Sequence, residues 1–539
     1  MSRTDVASAG AEQSQASAES AGLMSHSQVI KALIGMLLAM LTAFLSSTIV
    51  SIALPTIITK LHGTQGQYTW IVTATLLAST ASTPIWGKLA DLIDKKLLIQ
   101  LSIAVFTIGS IAAGFSQSVG TLIAWRALQG LGLGGLQALI VIAIAVMVSP
   151  RERGKYMGPM AAVMSVATVA GPLLGGVIVD SALGWRWCFF AGAPLAVIAL
   201  FVVQRTLKLP MVKRQVRVDY LGASLLSAGV CDLLIWVTLA GDQFAWGSTT
   251  SYLMVGAGVI LLVLTVIVEA RAAEPIIPLH IFTDRTTVLA TVASIAVGTA
   301  MFGSAVFLGQ YFQISRGYSP TEAGLLTLPM VVGSMAAATG SGSLITRFGR
   351  WKVFLVVGSL LMVTGFGLLG TIDHATSMVM VGTFLFILGL GMGMLMQNLV
   401  LAVQNSVRPS ELGAASSAVA FFRSLGGTVG VSVLGAVLAT RVSDLITDGL
   451  TKLGIQVSGG GSGDVGIASL DDLPEPFAGI VRAAYGDGTA TIFIIAAVLA
   501  VIAVIAVLAI KEVPLQTKSA IEVQHEEKLA TAGAVSESA

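Results

Sequence analysis

The hydrophobic positions of this chain fall into long apolar stretches that are separated by short polar segments. Many stretches hold roughly the 20 apolar residues that a helix needs to cross a bilayer, and glycine occurs on every face rather than in strict alternation. This pattern favours transmembrane helices over a β-barrel. It predicts about fourteen spans, at approximately 31–59, 68–91, 97–116, 120–148, 156–180, 187–207, 219–240, 250–270, 286–314, 322–346, 352–371, 377–404, 412–440 and 489–510.

Basic residues mark one side of the predicted membrane. Lysine and arginine recur in alternate short loops, whereas the intervening short loops offer little beyond Lys60, Arg186 and Arg316. Loops that are rich in positive charge face the cytoplasm. We therefore predict a multi-pass protein of the cell membrane with both termini cytoplasmic.

Composition supports the membrane assignment and excludes several classes of function. The chain is 55% hydrophobic and 11% charged, whereas soluble domains carry about 25% charged residues. A net charge of +2 gives no indication of a nucleic-acid partner. Cys188 and Cys231 read as free buried thiols, and the five histidines show no metal spacing. We expect no cofactor, no metal and no catalytic residue. The sequence also lacks the phosphate-binding Gly-x-x-x-x-Gly-Lys-Ser/Thr loop that ATP hydrolysis would need, so we expect an ion gradient to supply the energy.

An internal repeat indicates two related halves. Gly87-Lys-Leu-Ala-Asp91 closes the second predicted span, and Gly342-Ser-Leu-Ile-Thr-Arg347 closes the tenth. In both, leucine follows glycine by two residues before a charged turn. Duplicated halves around a central site are a common plan of transporters. The predicted parts are a tail at 1–30, a six-helix bundle at 31–210, an inserted helix pair at 211–280, a second six-helix bundle at 281–512 with a long outer loop at 441–488, and a tail at 513–539.

Several further motifs carry a family resemblance. They are Leu122-Ile-Ala-Trp-Arg126-Ala-Leu-Gln129-Gly130, Ala167-Thr-Val-Ala-Gly171-Pro172-Leu-Leu-Gly175-Gly176, Gly184-Trp-Arg-Trp and Phe421-Phe-Arg423-Ser-Leu-Gly426-Gly427. Over roughly residues 30–512 the chain resembles the major facilitator superfamily, and within it the fourteen-helix drug:proton antiporters that include the QacA- and EmrB-type multidrug exporters. The resemblance implies an all-α fold of two six-helix bundles plus two inserted helices, export of drugs in exchange for protons, and antibiotic resistance. The chain departs from the family where Ser46 stands in place of the usual first-helix acid.

The charged turn after the second span is a candidate inner gate. Asp91 lies at the predicted cytoplasmic end of its helix, where a carboxylate can accept hydrogen bonds from a neighbouring helix N-terminus and hold the gate shut. The alternative is a solvated loop charge that serves only topology. The gating candidates are Gly87, Asp91, Lys95, Lys96 and Arg347.

The fifth-span motif is a candidate hinge. Pro172 removes a backbone donor and bends a helix, while Gly171, Gly175 and Gly176 allow a neighbouring helix to approach closely. We predict a pliable seam between the half-bundles at this motif. Ordinary glycine-mediated packing is the alternative.

Proton coupling has two candidate residues. Arg126 falls about 10 Å inside the outer face by helical rise, where a charge is costly, and the resemblance implies a role in coupling; a structural arginine neutralised by carbonyls is the alternative. A proton carrier needs a carboxyl group in an apolar pocket, which Ser46 cannot supply. Asp232 is the best such carboxyl, although the resemblance places its span in the inserted pair, where it could instead serve as polar glue.

Polar residues at membrane depth are candidates for a cargo cavity. They are Ser46, Thr48, Trp125, Gln129, Gln397, Asn398 and Arg423. A wide cavity with aromatic and methionine side chains suits amphipathic molecules. The sequence therefore predicts a monomeric, proton-coupled exporter of amphipathic drugs or related small molecules that meets substrate, protons and membrane lipids. The alternatives are an exporter of an endogenous metabolite, lipid or peptide, and a non-transporting membrane sensor on the same fold.

Overall fold

The computed structural model of the protein is built of long helices. It describes residues 26–62, 65–207, 209, 219–241, 243–272, 274–452, 475–519 and 522–523. Twelve helical segments among these residues are long and apolar enough to cross a membrane. The long helices are α1 (His26–Lys60), α2 (Gln65–Leu92), α3 (Lys95–Gly114), α4 (Val119–Met147), α5 (Gly154–Asp180), α6 (Gly192–Thr206), α7 (Tyr220–Leu239), α8 (Thr249–Glu269), α9 (Arg285–Gln310), α10 (Leu328–Phe348), α11 (Lys352–Leu369), α12 (Met378–Ser406), α13 (Leu412–Lys452) and α14 (Glu475–Ala509).

Short polar side chains set where many of these helices begin. Asp94 accepts a hydrogen bond from the backbone N–H of Lys96 at the start of α3, and Ser118 forms a capping box with Thr121 at the start of α4. Such caps satisfy backbone donors that have no partner inside the helix. At the other end of α10, Gly349 adopts a left-handed conformation with φ of 73° that ends the helix.

The helices form two bundles and an inserted pair. In the first bundle α1 packs against α5 and α6, and α4 packs against α2 and α3. In the second, α9 packs against α13, while α12 packs against α10 and α11, and α14 contacts α9, α11 and α13. Helices α7 and α8 pack mainly against each other. The predicted all-α fold of two six-helix bundles with two inserted helices is thus confirmed, whereas the number of membrane spans stays a prediction.

The two bundles meet along two helix pairs, α2 with α13 and α5 with α10. Helix α2 is not among the twelve segments that are long and apolar enough to cross a membrane. In α2 the buried face carries hydroxyl groups, which include those of Thr75, Ser79 and Thr83. A helix that faces protein on several sides does not need the apolar surface that lipid requires. Helix α7 also touches α2 and α13, so the inserted pair borders one of these two seams.

The last outer loop is shorter than the predicted 441–488. Helix α13 continues to Lys452 and α14 begins at Glu475. Both ends of the predicted loop instead prolong these two helices. The remainder of that loop, the tail at 1–25, most of the tail beyond 519 and residues 211–218 of the predicted inserted-pair segment lie outside the described residues.

Candidate transport cavity and inner gate

A central cavity of about 190 Å³ lies between the two bundles. We call the end of the molecule that holds Lys96 and Arg151, predicted to be cytoplasmic, the inner face. Helices α1, α2, α4 and α5 line the cavity from one bundle, and α9, α12 and α13 line it from the other. Its lining residues are Met40, Phe44, Ser47, Leu76, Ser79, Thr80, Leu133, Gln137, Val141, Met160, Met164, Met301, Phe302, Met396, Gln397, Arg423, Ser424 and Thr428.

Two of the predicted cavity residues, Gln397 and Arg423, are among the lining residues. The neighbouring Asn398 is buried and points elsewhere, because its Nδ2 donates to Ser341 Oγ at 3.2 Å and to the carbonyl of Met394 at 2.7 Å. The first bond joins α12 to α10 and the second stays within α12, so the amide of Asn398 is used in structural contacts. Trp125 is 39% exposed and does not belong to the lining set.

Ser46, Gln129 and Arg126 form a buried polar chain behind the cavity. The Nη1 of Arg126 donates to Gln129 Oε1 at 2.6 Å, and the Nε2 of Gln129 donates to Ser46 Oγ at 3.4 Å. The Nε of Arg126 also donates to the carbonyl of Ile71 at 3.4 Å. Among the described residues no carboxylate lies within ion-pair distance of Arg126. The serine that replaces the expected first-helix acid is therefore connected to the buried arginine through a single glutamine.

Thr48 holds α1 against α5. Its hydroxyl donates within α1 to the carbonyls of Phe44 and Leu45, and it also lies 3.0 Å from the carbonyl of Ala167 on α5. A methyl group at Gly171 would overlap the same hydroxyl. Thr48 and Gly171 thus pack together inside one bundle, and the prediction that Thr48 serves cargo has no support from its contacts.

The fifth-span motif and the close contact between the bundles lie at different places on α5. Gly171 faces α1 of its own bundle, Gly175 is buried, and a methyl group at Gly176 would meet open space. The side chain of Pro172 lies outside the described residues, and α5 runs unbroken through this position. The close contact between bundles occurs instead at the inner end of α5, where the backbones of Gly154 and Gly342 touch. The close contact with the other bundle that the described residues show thus lies on the same helix but away from the motif, and the pliable seam at the motif stays a prediction.

Asp91 bridges the two bundles at the inner face. Its Oδ1 accepts from the backbone N–H of Gly413 at 2.9 Å, and its Oδ2 accepts from that of Ala414 at 2.9 Å. Both donors lie in the first turn of α13, where backbone N–H groups have no partner within the helix and the helix dipole favours an anion. The contact is the one that the sequence predicts for a latch.

The two repeated glycines occupy matching positions in the inner-face contacts. A methyl group at Gly87 would overlap Ser417 and approach the carbonyl of Gly413, both on α13. A methyl group at Gly342 would overlap the backbone of Gly154 on α5. Each repeat thus places a glycine where a helix of one bundle touches a helix of the other.

The remaining gating candidates differ in what they contact. Lys95 lies near Asp91, and Lys96 donates to the carbonyl of Gln204 within its own bundle at 2.8 Å. The guanidinium of Arg347 lies over the ring of the adjacent Phe348, 5.4 Å from its centre. Among the described residues, neither Lys96 nor Arg347 makes a hydrogen bond or ion pair with the opposite bundle.

Two arginines that we did not predict as gate residues do cross between the bundles. Arg151 Nε donates to the carbonyl of Thr346 at 3.2 Å. The buried Arg153 donates from Nη1 to Gln404 Oε1 at 3.0 Å, and it also donates to the carbonyls of Val148 and Ala145. Burial lowers the pKa of the Arg153 guanidinium to about 9, so it stays charged at neutral pH. From the sequence, both arginines are only part of the positive charge that sets topology, because the sequence of a basic loop does not reveal which carbonyl group each arginine will bind.

Asp232 lies in the inserted pair and not at the cavity. Its side chain packs against α8, since a methyl group at Gly258 would lie 2.8 Å from Oδ2. That oxygen is buried and has no hydrogen-bond partner among the described residues. An unpaired buried carboxyl oxygen is costly unless it is protonated. Asp232 remains a candidate for proton binding at a distance from the cargo site.

Sequence reasoning missed most of the cavity lining. Ser47 was a neighbour of the chosen serine, and Gln137 was not considered. Met396 is not among the predicted cavity residues, yet it lines the cavity together with Met40, Met160, Met164 and Met301. Met396 and Gln397 are adjacent on α12 and point about 100° apart, so a helical wheel alone does not place both at one cavity.

Comparison with known proteins gives consistent results. Residues 36–431 match the model of the Major Facilitator Superfamily. The chain is 32% identical over 521 residues to the multidrug transporter protein MdtP of Bacillus subtilis, covering 92% of this chain and 96% of that protein. It is 36% identical over 478 residues to an uncharacterized MFS-type transporter of Mycobacterium tuberculosis, covering 88% of this chain and 68% of that protein.

Solved structures show the same fold. The proton:xylose symporter XylE, bound to 6-bromo-6-deoxy-D-glucose, superposes with a TM-score of 0.62 at 15% identity, over 93% of this chain and 99% of that one. The low identity limits this likeness to the fold. The family match and the named relatives make the chain a membrane transporter rather than an enzyme. The chain belongs to the major facilitator superfamily.

Proposed function

We propose that this transporter is a proton-coupled antiporter that exports amphipathic small molecules across the cell membrane. It would be a member of the fourteen-helix drug:proton antiporters and contribute to antibiotic resistance. The observation that carries the proposal is a cavity lined by both bundles whose inner side is closed by inter-bundle contacts, above all those of Asp91 with the start of α13. The relative named as a multidrug transporter supports the choice of cargo.

The inner-face contacts suit a gate that opens by rocking of the bundles. Two hydrogen bonds that Asp91 accepts, one that Arg151 donates and one that Arg153 donates to Gln404 join the bundles there. All of them can break when the bundles tilt, because each joins groups on opposite bundles. A cavity of about 190 Å³ is smaller than the roughly 300–1,000 Å³ of pockets for drug-sized ligands. Cargo of that size therefore requires the bundles to separate further.

Protons are the driving ion in this proposal. Arg126 and Asp232 are the candidate coupling residues: the first is buried beside the cavity without a carboxylate partner, and the second carries a buried carboxyl oxygen without a donor. With roughly 100 mV and one pH unit across the membrane, one proton supplies about 2.3 plus 1.4 kcal/mol. That energy sustains a gradient of a few hundredfold for a neutral cargo, since each factor of ten costs about 1.4 kcal/mol.

The test is substrate-triggered proton movement in liposomes that contain the purified protein and a pH-sensitive dye. A panel of amphipathic compounds is added without an imposed gradient, and protein-free liposomes serve as the control. We expect some compounds to drive proton movement opposite to their own flux. Cargo flux with no accompanying proton movement would reject antiport, and a complete lack of cargo flux would favour the sensor alternative.

A further inference from the structure

The cavity contains a single charged side chain among its lining residues, that of Arg423. Its Nη1 donates a long hydrogen bond of 3.4 Å to the carbonyl of Met396. None of the described carboxylates lies within ion-pair distance of it. A guanidinium has five N–H donors, so most of its hydrogen-bonding capacity faces the cavity or its immediate surroundings.

Within the part of the chain that the structure describes, no carboxylate is placed to neutralise this charge. Ser46 stands where an acid would face the bundle interior, and it accepts a hydrogen bond from Gln129. Asp232 packs against Gly258 in the inserted pair, away from the cavity lining. Because an unpaired buried charge is unfavourable in the membrane, the site gains most from a molecule that brings a negative charge with it.

The side chains around Arg423 combine hydrogen-bonding groups with an apolar wall. Ser424 follows it on α13 and offers a hydroxyl group, and Gln397 offers an amide from α12, whereas the Thr428 hydroxyl donates to the carbonyl of Ser424 at 3.1 Å. Phe302 and the lining methionines supply an apolar and deformable wall. A planar guanidinium binds carboxylate or similar oxyanions through two parallel hydrogen bonds.

We propose that Arg423 selects cargo with an anionic head and an apolar body, and that the cavity disfavours amphipathic cations. This inference rests on the proposed function in that it assigns the same cavity to cargo. It concerns only the charge of the preferred cargo and does not depend on which ion drives transport.

The experiment compares three ligands that share one ring system and differ in charge. 2-Naphthaleneacetate, 2-naphthaleneethanol and 2-naphthaleneethylamine are titrated by calorimetry into the full chain in nanodiscs, with empty nanodiscs subtracted. No gradient is present. We expect the acetate to bind roughly ten- to a hundredfold more tightly than the amine, the size of effect that one charge-assisted hydrogen-bonded pair provides.

Variants assign that preference to Arg423. Arg423→Gln should abolish the difference between the acetate and the amine, whereas Arg423→Lys should keep part of it. Arg441→Gln is the matched control, because Arg441 lies on the same helix α13 but lines a separate outer crevice of about 770 Å³. It should leave the preference unchanged.

The results separate this inference from the proposed function. Tighter binding of the amine, or an unchanged preference in Arg423→Gln, would overturn the inference even if transport proves to be proton-coupled. Loss of the preference in Arg441→Gln would place the ligand in the outer crevice and would also overturn it. An anion preference that depends on Arg423, found in a protein that moves no protons, would sustain the inference and reject only antiport.

Discussion

Replacing Asp91 with asparagine perturbs the contact between the bundles while changing the size of the side chain very little. In the native protein each carboxylate oxygen accepts one backbone N–H from the start of α13, at 2.9 Å in both cases. An asparagine keeps one acceptor oxygen but turns an NH2 group toward the second N–H. One charge-assisted bond is lost, and a buried donor loses its acceptor.

The size of the effect follows from these two losses. A hydrogen bond to a charged group contributes about 1.5–3 kcal/mol, and a negative charge at a helix N-terminus contributes about 0.3–1 kcal/mol. We expect Asp91→Asn to destabilise the conformation with a closed inner face by about 2–3 kcal/mol relative to the open conformation. That corresponds to a shift of roughly 30- to 160-fold in the ratio of open to closed molecules, so an open population of about 1% would rise to roughly 25–60%.

Electron–electron double resonance measures this shift directly. Spin labels at Lys155 and Arg350, both exposed at the inner face and on opposite bundles, report the separation of the bundles. Cys188 and Cys231 are first replaced by alanine, and spectra are recorded at pH 8 to keep carboxyl groups ionised. Asp91→Asn should add a population at longer distance.

The control for this experiment is Asp94→Asn. Asp94 carries the same charge in the same turn, but it accepts from Lys96 within its own bundle at 2.9 Å. Asp94→Asn should give the same distance distribution as the native protein. If Asp91→Asn and Asp94→Asn give identical distributions, Asp91 does not latch the inner face and the reasoning above is refuted.

Three further substitutions test other contacts. Gly342→Ala should destabilise the closed inner face by about 1–3 kcal/mol relative to the open one, because the methyl group overlaps the backbone of Gly154. Gly340→Ala is the control. A methyl group there meets open space, so it should not change the same spin-label distances. Arg126→Lys should reduce substrate-triggered proton movement at least about tenfold through loss of the 2.6 Å bond to Gln129; native rates in a folded variant would remove Arg126 from coupling. Asp232→Asn should abolish that proton movement in the liposome assay, and normal antiport would eliminate Asp232 as the carrier.

The fold was accessible from the sequence because its signals are local. Runs of about 20 apolar residues predict membrane helices, and the repeated glycine motifs at Gly87 and Gly342 indicate two related bundles. Asp91 was predictable as a latch because it is a carboxylate at the end of a helix, where its partners are limited to nearby hydrogen-bond donors and cations. These inferences need only the spacing of residues along one helix.

The cavity was less accessible because it depends on packing between distant helices. Ser46 and Ser47 are neighbours in sequence, yet Ser47 lines the cavity while Ser46 is tied to Gln129. Adjacent residues on a helix point about 100° apart, so a small rotation of α1 decides which of them meets cargo. The same limit applies to Gln397 and Asn398 on α12, of which the first lines the cavity.

The close contact between bundles on α5 shows a second limit. The motif around Gly171 suggests close packing, and close packing does occur there, but against Thr48 of the same bundle. The inter-bundle contact at Gly154 carries no conspicuous motif, since one glycine at a helix start has many uses. Only the position of the partner, Gly342, reveals its role.

Concentrative transport in liposomes tests the central claim most directly. Purified protein is reconstituted, a proton gradient is imposed, and the cargo concentration inside is compared with that outside before and after a protonophore is added. The account predicts that cargo accumulates on one side and that the protonophore abolishes the accumulation. Cargo that equilibrates to equal concentrations on both sides at the same rate, with or without the gradient, would contradict proton-coupled export and leave a passive carrier.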